Sequence, residues 1–244
     1  WSETAPRHRS HRATLIRGLA DPSPMDIALL GGTGDIGEGL ALRWAADTNH
    51  GVIVGSREAD RAHGKAEEYE TELSSRGIDV TVDSGANPDA AARADVVVCS
   101  VPAYHLADTI GAVADRLADD AILVSPAVGM KRDDAGVHYN PPGAGSVTAL
   151  AADAAPDDVP VVGAFHNLAA GKLANLDADL DWDTPIVGDD ADAKGIVMDL
   201  AAGIEGLRPI DAGPIANAGE VESLTPLLIN LAANNERLHD LGVK

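Results

Sequence analysis

The sequence predicts a doubly wound α/β protein, a parallel sheet covered by helices on both faces, followed by a smaller C-terminal lobe. Three observations predict it. Short apolar runs alternate with helix-like segments from residue 25 onward. Most of these runs are continuous Val, Ile, Leu and Ala, as expected of strands buried on both faces rather than on one. A glycine-rich turn stands between the first run and the first helix, and a second run follows about twenty residues on.

The elements follow in order. "IALLGG" (27–32) reads as the first strand and 35–47 as the first helix; "VIVGS" (52–56) and 58–75 repeat the unit. "VTVDS" (80–84), "DVVVCSVP" (95–102), "AILVSPAV" (121–128) and "VPVVGAFHN" (159–167) continue it, with helices at 104–117 and 145–155. Such alternation implies right-handed crossovers between parallel strands. Residues 25–181 are thus expected to form a dinucleotide-binding domain of the Rossmann type.

Residues 182–244 are read as the smaller lobe, with strands at "TPIVGD" (184–189) and "LRPIDAG" (207–213) around a helix at 191–203. Asp189 or Asp190 is placed to cap that helix. In the last helix, "VESLTPLLINLAANNERL", Leu224, Leu227, Leu228 and Leu231 share one face, and Pro226 implies a kink or a start at that point. Residues 1–24 differ from the rest. Four arginines stand there against Glu3 and Asp21, and the segment ends in Pro-Ser-Pro. It lacks the apolar core of a secretory signal and reads as a disordered basic extension, or as translated sequence upstream of a start at Met25.

Composition sets further bounds. The net charge of −21, with 5 lysines against 28 aspartates and 11 glutamates, argues against a general nucleic-acid binder. No run approaches the ~18–20 apolar residues of a membrane helix, so a soluble, cytoplasmic protein is expected. The one cysteine, Cys99, excludes an internal disulfide and a metal site built on several thiolates. The acidic excess resembles proteins of extreme halophiles, whose self-repulsion is screened by salt. The leucine face of the last helix suggests a homo-oligomer, a dimer or tetramer, or else covers its own sheet.

The glycine turn spells Gly32-x-Gly34-x-x-Gly37. In this reading Gly32 permits the turn, Gly34 lets backbone approach a pyrophosphate, and Gly37 lets helix pack on strand. The helix amino end adds free N–H groups and partial positive charge, so Asp35 is expected to point away. At the end of the second strand, where a carboxylate would hold a ribose hydroxyl, the chain has Ser56-Arg57. A guanidinium and a hydroxyl there suit a 2′-phosphate. Arg61 and Lys65 follow at four-residue steps, making three cations at one corner of an acidic chain. That points to NADP, against the alternative that these cations merely pair with Glu58, Asp60 and Glu68.

Beyond the nucleotide motif, "MDIALLGGTGDIGEGLALRWA", "VIVGSREADRAHGKAEEY", "FHNLAAGKLANLD", "DWDTPIVGDD" and "GLRPIDAGPIANAGEVESLTPLL" together resemble the F420-dependent NADP reductases. The resemblance runs from Met25 to the C-terminus. It implies hydride transfer, in either direction, between NADP and coenzyme F420, an 8-hydroxy-5-deazaflavin. It further implies Thr33, Gly34, Asp35 and Ile36 at the pyrophosphate and Ser56, Arg57 and Arg61 at the 2′-phosphate, Arg61 standing where the family often carries lysine. Val101, Pro102, His105 and Val128 fall beside the nicotinamide, and His166, Leu168 and Ala170 where the deazaflavin stacks. The stretch 129–140, "GMKRDDAGVHYN", departs most from the family pattern, and no role is carried onto it.

His105 and His166 both follow strand ends, as cofactor ligands or as ordinary half-buried histidines. Lys172 and Arg208 are cation candidates for the deazaflavin's anionic tail, or solvated surface charges. No serine, histidine and aspartate stand in a nucleophile context. Stacked-ring hydride transfer needs orientation and a dry slot rather than a proton relay, so no catalytic acid or base is expected. Other NADPH-dependent reductases of the same scaffold, for pyrroline-carboxylate or metals, and a non-catalytic NADP sensor are the competing readings.

Overall fold

The computed structural model describes residues 23–235, 238 and 241–244. Most of the basic extension assigned to 1–24 therefore lies outside the described residues. The first apolar run forms β1 (Asp26–Leu30), with Ile27 to Leu30 fully buried, and leads into α1 (Asp35–Asp47). β2 (Gly51–Ser56) and α2 (Ala59–Ser75) complete the first unit. β3 (Asp83–Ala86), α3 (Asn87–Ala91), β4 (Val96–Cys99), α4 (Leu106–Val113) and β5 (Ile122–Ser125) continue the winding. Next come β6 (Met130–Asp133), β7 (Gly136–Tyr139), α5 (Val147–Ala154), β8 (Val161–Gly163) and α6 (Ala170–Ala174). β9 (Trp182–Gly188), α7 (Ala191–Ala202), β10 (Leu207–Asp211) and α8 (Ala218–Ala233) end the chain.

Eight strands form one sheet in the order β10-β9-β8-β5-β4-β1-β2-β3. The chain starts in the middle, winds outward through β2 and β3, then returns to β4 on the other side of β1. That reversal is the switch point of a doubly wound sheet, so the fold class read from the sequence is the one observed. One pairing breaks the parallel rule: β9 runs antiparallel to β8, with Val162 opposite Gly188. β10 is parallel to β9 and extends the same sheet.

Three local expectations need correction. The third strand begins at Asp83, not residue 80, because the Val82 N–H donates to the Glu70 carboxylate of α2 at 2.8 Å and not to β2. The stretch 129–140, given no role from sequence, is the β6–β7 hairpin. The last helix does not begin with Pro226; it starts at Ala218 and carries Pro226 inside. Two local readings hold. α1 covers 35–47, and Asp190 caps α7, its carboxylate accepting from Ala193 N–H at 2.8 Å.

Each face of the sheet has its own apolar cluster. On one face Trp44 meets Phe165 edge-on, ring centres 5.6 Å apart, a contact worth about 0.5–1.5 kcal/mol beyond its buried area. The Trp44 indole also donates to the Leu200 carbonyl at 2.9 Å, tying α1 to α7. Cys99 packs in the other cluster, and burial pushes its thiol up to about 12, leaving a small hydrophobe.

Candidate active site

The carboxyl ends of β1, β2, β3 and β4 open on a cleft of about 500 Å³ at the switch point. Gly31, Ser56, Asn87 and Ser100, each at or just after one of those strand ends, line it. Gly31 has φ +77°, and a Cβ there would lie 2.7 Å from Val101 Cγ1 and 2.8 Å from the Ser100 carbonyl. The turn glycine is therefore Gly31, one residue before the position assigned from the pattern. Gly37 does what the pattern assigns it, since a Cβ there would lie 2.6 Å from Gly32 Cα. The loop is held from behind: the Tyr69 hydroxyl of α2 donates to the Gly32 carbonyl at 2.7 Å.

Thr33 and Gly34 line this cleft, and no side chain caps the amino end of α1, so its first N–H groups are open to an anion. Asp35 is exposed and lines a different cavity. Arg57 and Arg61 line the cleft and make no hydrogen bond or ion pair with any described residue. The alternative in which they serve Glu58, Asp60 and Glu68 is not what the structure shows. Lys65 is the exception. It pairs with Glu68 at 2.6 Å and Glu38 at 3.7 Å and does not line the cleft, so three cations reduce to two.

Val101, Pro102 and His105 line the far part of the same cleft. Asn87, which sequence reasoning missed, lines it too. Its side chain is buried and its Oδ1 has no partner, a cost a protein bears when a ligand or water completes the set. The available signal was an Asn-Pro pair where a strand gives way to a helix.

A second cavity, also about 500 Å³, has mainly apolar walls: Leu168, Ala169, Ala170, Leu228 and Ile229, with Met130 of β6. Asp35, Asn167 and Thr225 add its polar groups. The turn that enters it starts at Phe165, which has φ +67°, a left-handed conformation rare for a bulky residue. Neighbours hold that turn in place. The Thr225 hydroxyl donates to the His166 carbonyl at 2.6 Å, and Asn167 Nδ2 donates to the Asp183 carbonyl at 2.8 Å.

Behind the wall lies a buried polar network. The Glu222 carboxylate of α8 accepts from the N–H groups of Val147 and Thr148, both at 2.9 Å, at the positive amino end of α5. It also accepts from the Tyr139 and Thr148 hydroxyls, each at 3.0 Å. The Thr148 proton being committed to Glu222, His166 Nε2–H donates to Thr148 Oγ1 at 3.3 Å, leaving Nδ1 buried without a partner. Burial pulls the His166 pKa down to about 4, so the ring is neutral. His166 thus supports the wall and faces neither cavity. At 3% exposure it matches the buried-histidine alternative more closely than that of a direct cofactor ligand.

Helix α1 connects the two cavities. Gly39 lets Leu173 of α6 approach, since a Cβ there would lie 2.8 Å from Leu173 Cγ. The buried Arg43 donates to the carbonyls of Leu173 (3.0 Å), Asn175 (2.7 Å) and Ala178 (2.9 Å). The segment that follows the second cavity's wall is thereby fixed to the helix that begins at the first.

Comparison with known proteins decides the family. Residues 26–129 match the model of the coenzyme F420-dependent NADP oxidoreductases. An F420-dependent NADP reductase of Methanothermobacter thermautotrophicus is 38% identical over 223 residues, 90% of this chain and 94% of that protein. One from Methanocaldococcus jannaschii is 38% identical over 85% of this chain and 92% of its own length. This chain belongs to the F420-dependent NADP reductases. In structure, a proposed F420-dependent NADP reductase from Arthrobacter sp. FB24 superposes with a TM-score of 0.73 at 26% identity, covering 90% of this chain and 98% of that one.

Not every residue carried over from the F420-dependent NADP reductases lines a cavity. Thr33, Gly34, Ser56, Arg57, Arg61, Val101, Pro102 and His105 line the first, and Asp35, Leu168 and Ala170 the second. Ile36 and Val128 line neither; both are half-buried, and Ile36 packs on the core. The two tail cations are also engaged elsewhere. Lys172 lies over the Trp182 ring at 4.8 Å, and Arg208 pairs with Asp181 at 2.7 Å and Asp183 at 2.6 Å. Among the described residues no helix is long and apolar enough to cross a membrane.

Proposed function

We propose that this chain transfers a hydride between coenzyme F420 and NADP, in the direction set by their supply. The observation that carries it is the shared wall: consecutive residues Gly34 and Asp35 line different cavities, one edged by unpartnered guanidinium groups and the other apolar. The cofactors supply the redox chemistry, one hydride passing from reduced deazaflavin to NADP+ with one proton released. Arg57 and Arg61 hold the 2′-phosphate with Ser56, the Thr33–Gly34 loop holds the pyrophosphate, and Val101 and His105 border the nicotinamide. Leu168, Ala170 and Leu228 pack against the deazaflavin and exclude water, as ring-to-ring transfer at ~3–3.5 Å needs.

Residues 182–244 act as the lobe that carries the second cavity's α8 wall. Leu227 and Leu231 of α8 are 53% and 39% exposed, which supports α8 as a homodimer contact. The charge of −21 supports a cytoplasm rich in salt as the working environment. Oxidised F420 has a visible absorption band, and purified protein with NADPH is expected to bleach it. A band that persists while NADPH is consumed by another acceptor overturns the reading, and tight NADP binding without any turnover favours a sensor.

A further inference from the structure

Nearly every described lysine and arginine is engaged. Ion pairs take Lys65, Arg76, Arg93, Arg116, Lys194, Arg208 and Lys244. Arg43 is held by carbonyls and Lys172 by the Trp182 ring. Among the described residues four cations remain without a hydrogen bond or ion pair: Arg57, Arg61, Lys131 and Arg132. The first two line the first cleft. The other two follow Met130, which lines the second cavity, on the same short strand. In a chain of net charge −21, these cations outside ion pairs thus stand beside the two cavities, Lys131 lying in the field of Asp133.

The hairpin register separates the second pair. Met130 stands opposite Tyr139 and Arg132 opposite Val137, so all four share a face, while Lys131 and His138 share the reverse. Val137 is buried, and Asn230 of α8 bonds both its N–H (2.9 Å) and its carbonyl (2.6 Å). Tyr139, on the same face as Arg132, donates its hydroxyl to Glu222 of α8 at 3.0 Å, so the face that carries Arg132 is the one turned to the helix whose Leu228 and Ile229 line the cavity. The neighbouring Asp133 does not neutralise Arg132: its carboxylate accepts from Ala135 N–H at 2.9 Å and meets His138 at 3.0 Å on the reverse side. Within the cavity the one charged lining residue is Asp35, which repels an anion.

We propose that Arg132 anchors the anionic tail of the deazaflavin where it leaves the second cavity, with Lys131 adding to the local positive field. This rests on the reading of that cavity as the deazaflavin site. A guanidinium two residues along the strand from a lining methionine, about 6.6 Å away, suits a ligand with an apolar ring and a charged extension. Arg132 then does for the second cavity what Arg57 and Arg61 do for the first.

The test measures binding without NADP, through the fluorescence of the deazaflavin, for coenzyme F420 and for its ring-and-ribityl fragment that lacks the anionic tail. Arg132→Glu is expected to weaken the full coenzyme by about tenfold or more and the fragment by less than about twofold. Arg132→Lys is expected to retain most of the affinity, and an unchanged melting temperature shows the hairpin intact. Equal weakening of both compounds, or of neither, overturns the proposal. So does a wild-type protein that binds fragment and coenzyme equally. A wild type that binds neither compound overturns the deazaflavin reading itself, and the proposal with it.

Discussion

The two cavities have the same volume and opposite construction. The first is made of strand ends and one turn, and offers backbone N–H groups and guanidinium groups. The second is made of side chains from α8, the β6–β7 hairpin and the turn after β8, and offers apolar surface. A phosphate-rich ligand is gripped by charge and by backbone that the fold exposes in any case. A flat ring is gripped by shape, which many distant side chains must agree on. The first site is thus local and tolerant, the second distributed and dependent on whatever keeps α6, α8 and the hairpin in place.

The largest expected effect tests that dependence. Arg43→Met removes a buried charge from three carbonyls in the segment after the second cavity's wall. It is expected to cost about 3–5 kcal/mol in denaturant titrations and to weaken F420 binding much more than NADP binding. Equal losses would show that α1 carries both sites as one unit.

The next effect separates the sites by pH. The His166 ring takes a proton near pH 6.5 in the unfolded chain but only near 4 when folded, because burial disfavours the cation. Above pH 6.5 it contributes no pH dependence. As pH falls from 6.5 towards 4 only the unfolded chain gains the proton, so stability drops, by roughly 3 kcal/mol at the full extent. His166→Gln is expected to flatten that part of the profile. A wild-type profile already flat there would show water reaching the ring.

The smallest effects sharpen the first site. Arg57→Ala is expected to raise the KM for NADP roughly 10- to 100-fold and leave that for NAD nearly unchanged. Lys65→Ala, on the same helix face but committed to Glu68, is expected to change either value by less than about twofold. If Lys65→Ala matches Arg57→Ala, the ion pair opens when NADP binds.

What could be read in advance follows the same division. β1, α1 and β2 were legible because continuous apolar runs and a glycine turn are local signals, and Ser56-Arg57 stated its chemistry by type. Gly31 was missed because the Gly-x-Gly-x-x-Gly spacing is met only from Gly32, whereas the positive φ at Gly31 and the approach of Val101 and the Ser100 carbonyl are tertiary features that spacing does not carry. Lys65 looked equivalent to Arg61 because helical spacing does not reveal whether a carboxylate is within reach. The second cavity had no local signal: residues 35, 130, 168 and 228 meet through tertiary packing, and only resemblance to a family pointed to Leu168 and Ala170. The hairpin was illegible because its eight paired residues include one buried apolar side chain, Val137, too little for a period of two.

Gly34 and Asp35 are joined by a single peptide unit, with one binding space on each side of that partition. In the proposed reading that partition separates the NADP pyrophosphate from the deazaflavin space, and the two rings meet beyond it, where no backbone intervenes. In the same proposed reading, carrier preference is set at positions 57 and 61, away from the partition. A lineage could exchange one nicotinamide carrier for the other by drift at that corner while the meeting point of the rings stays untouched.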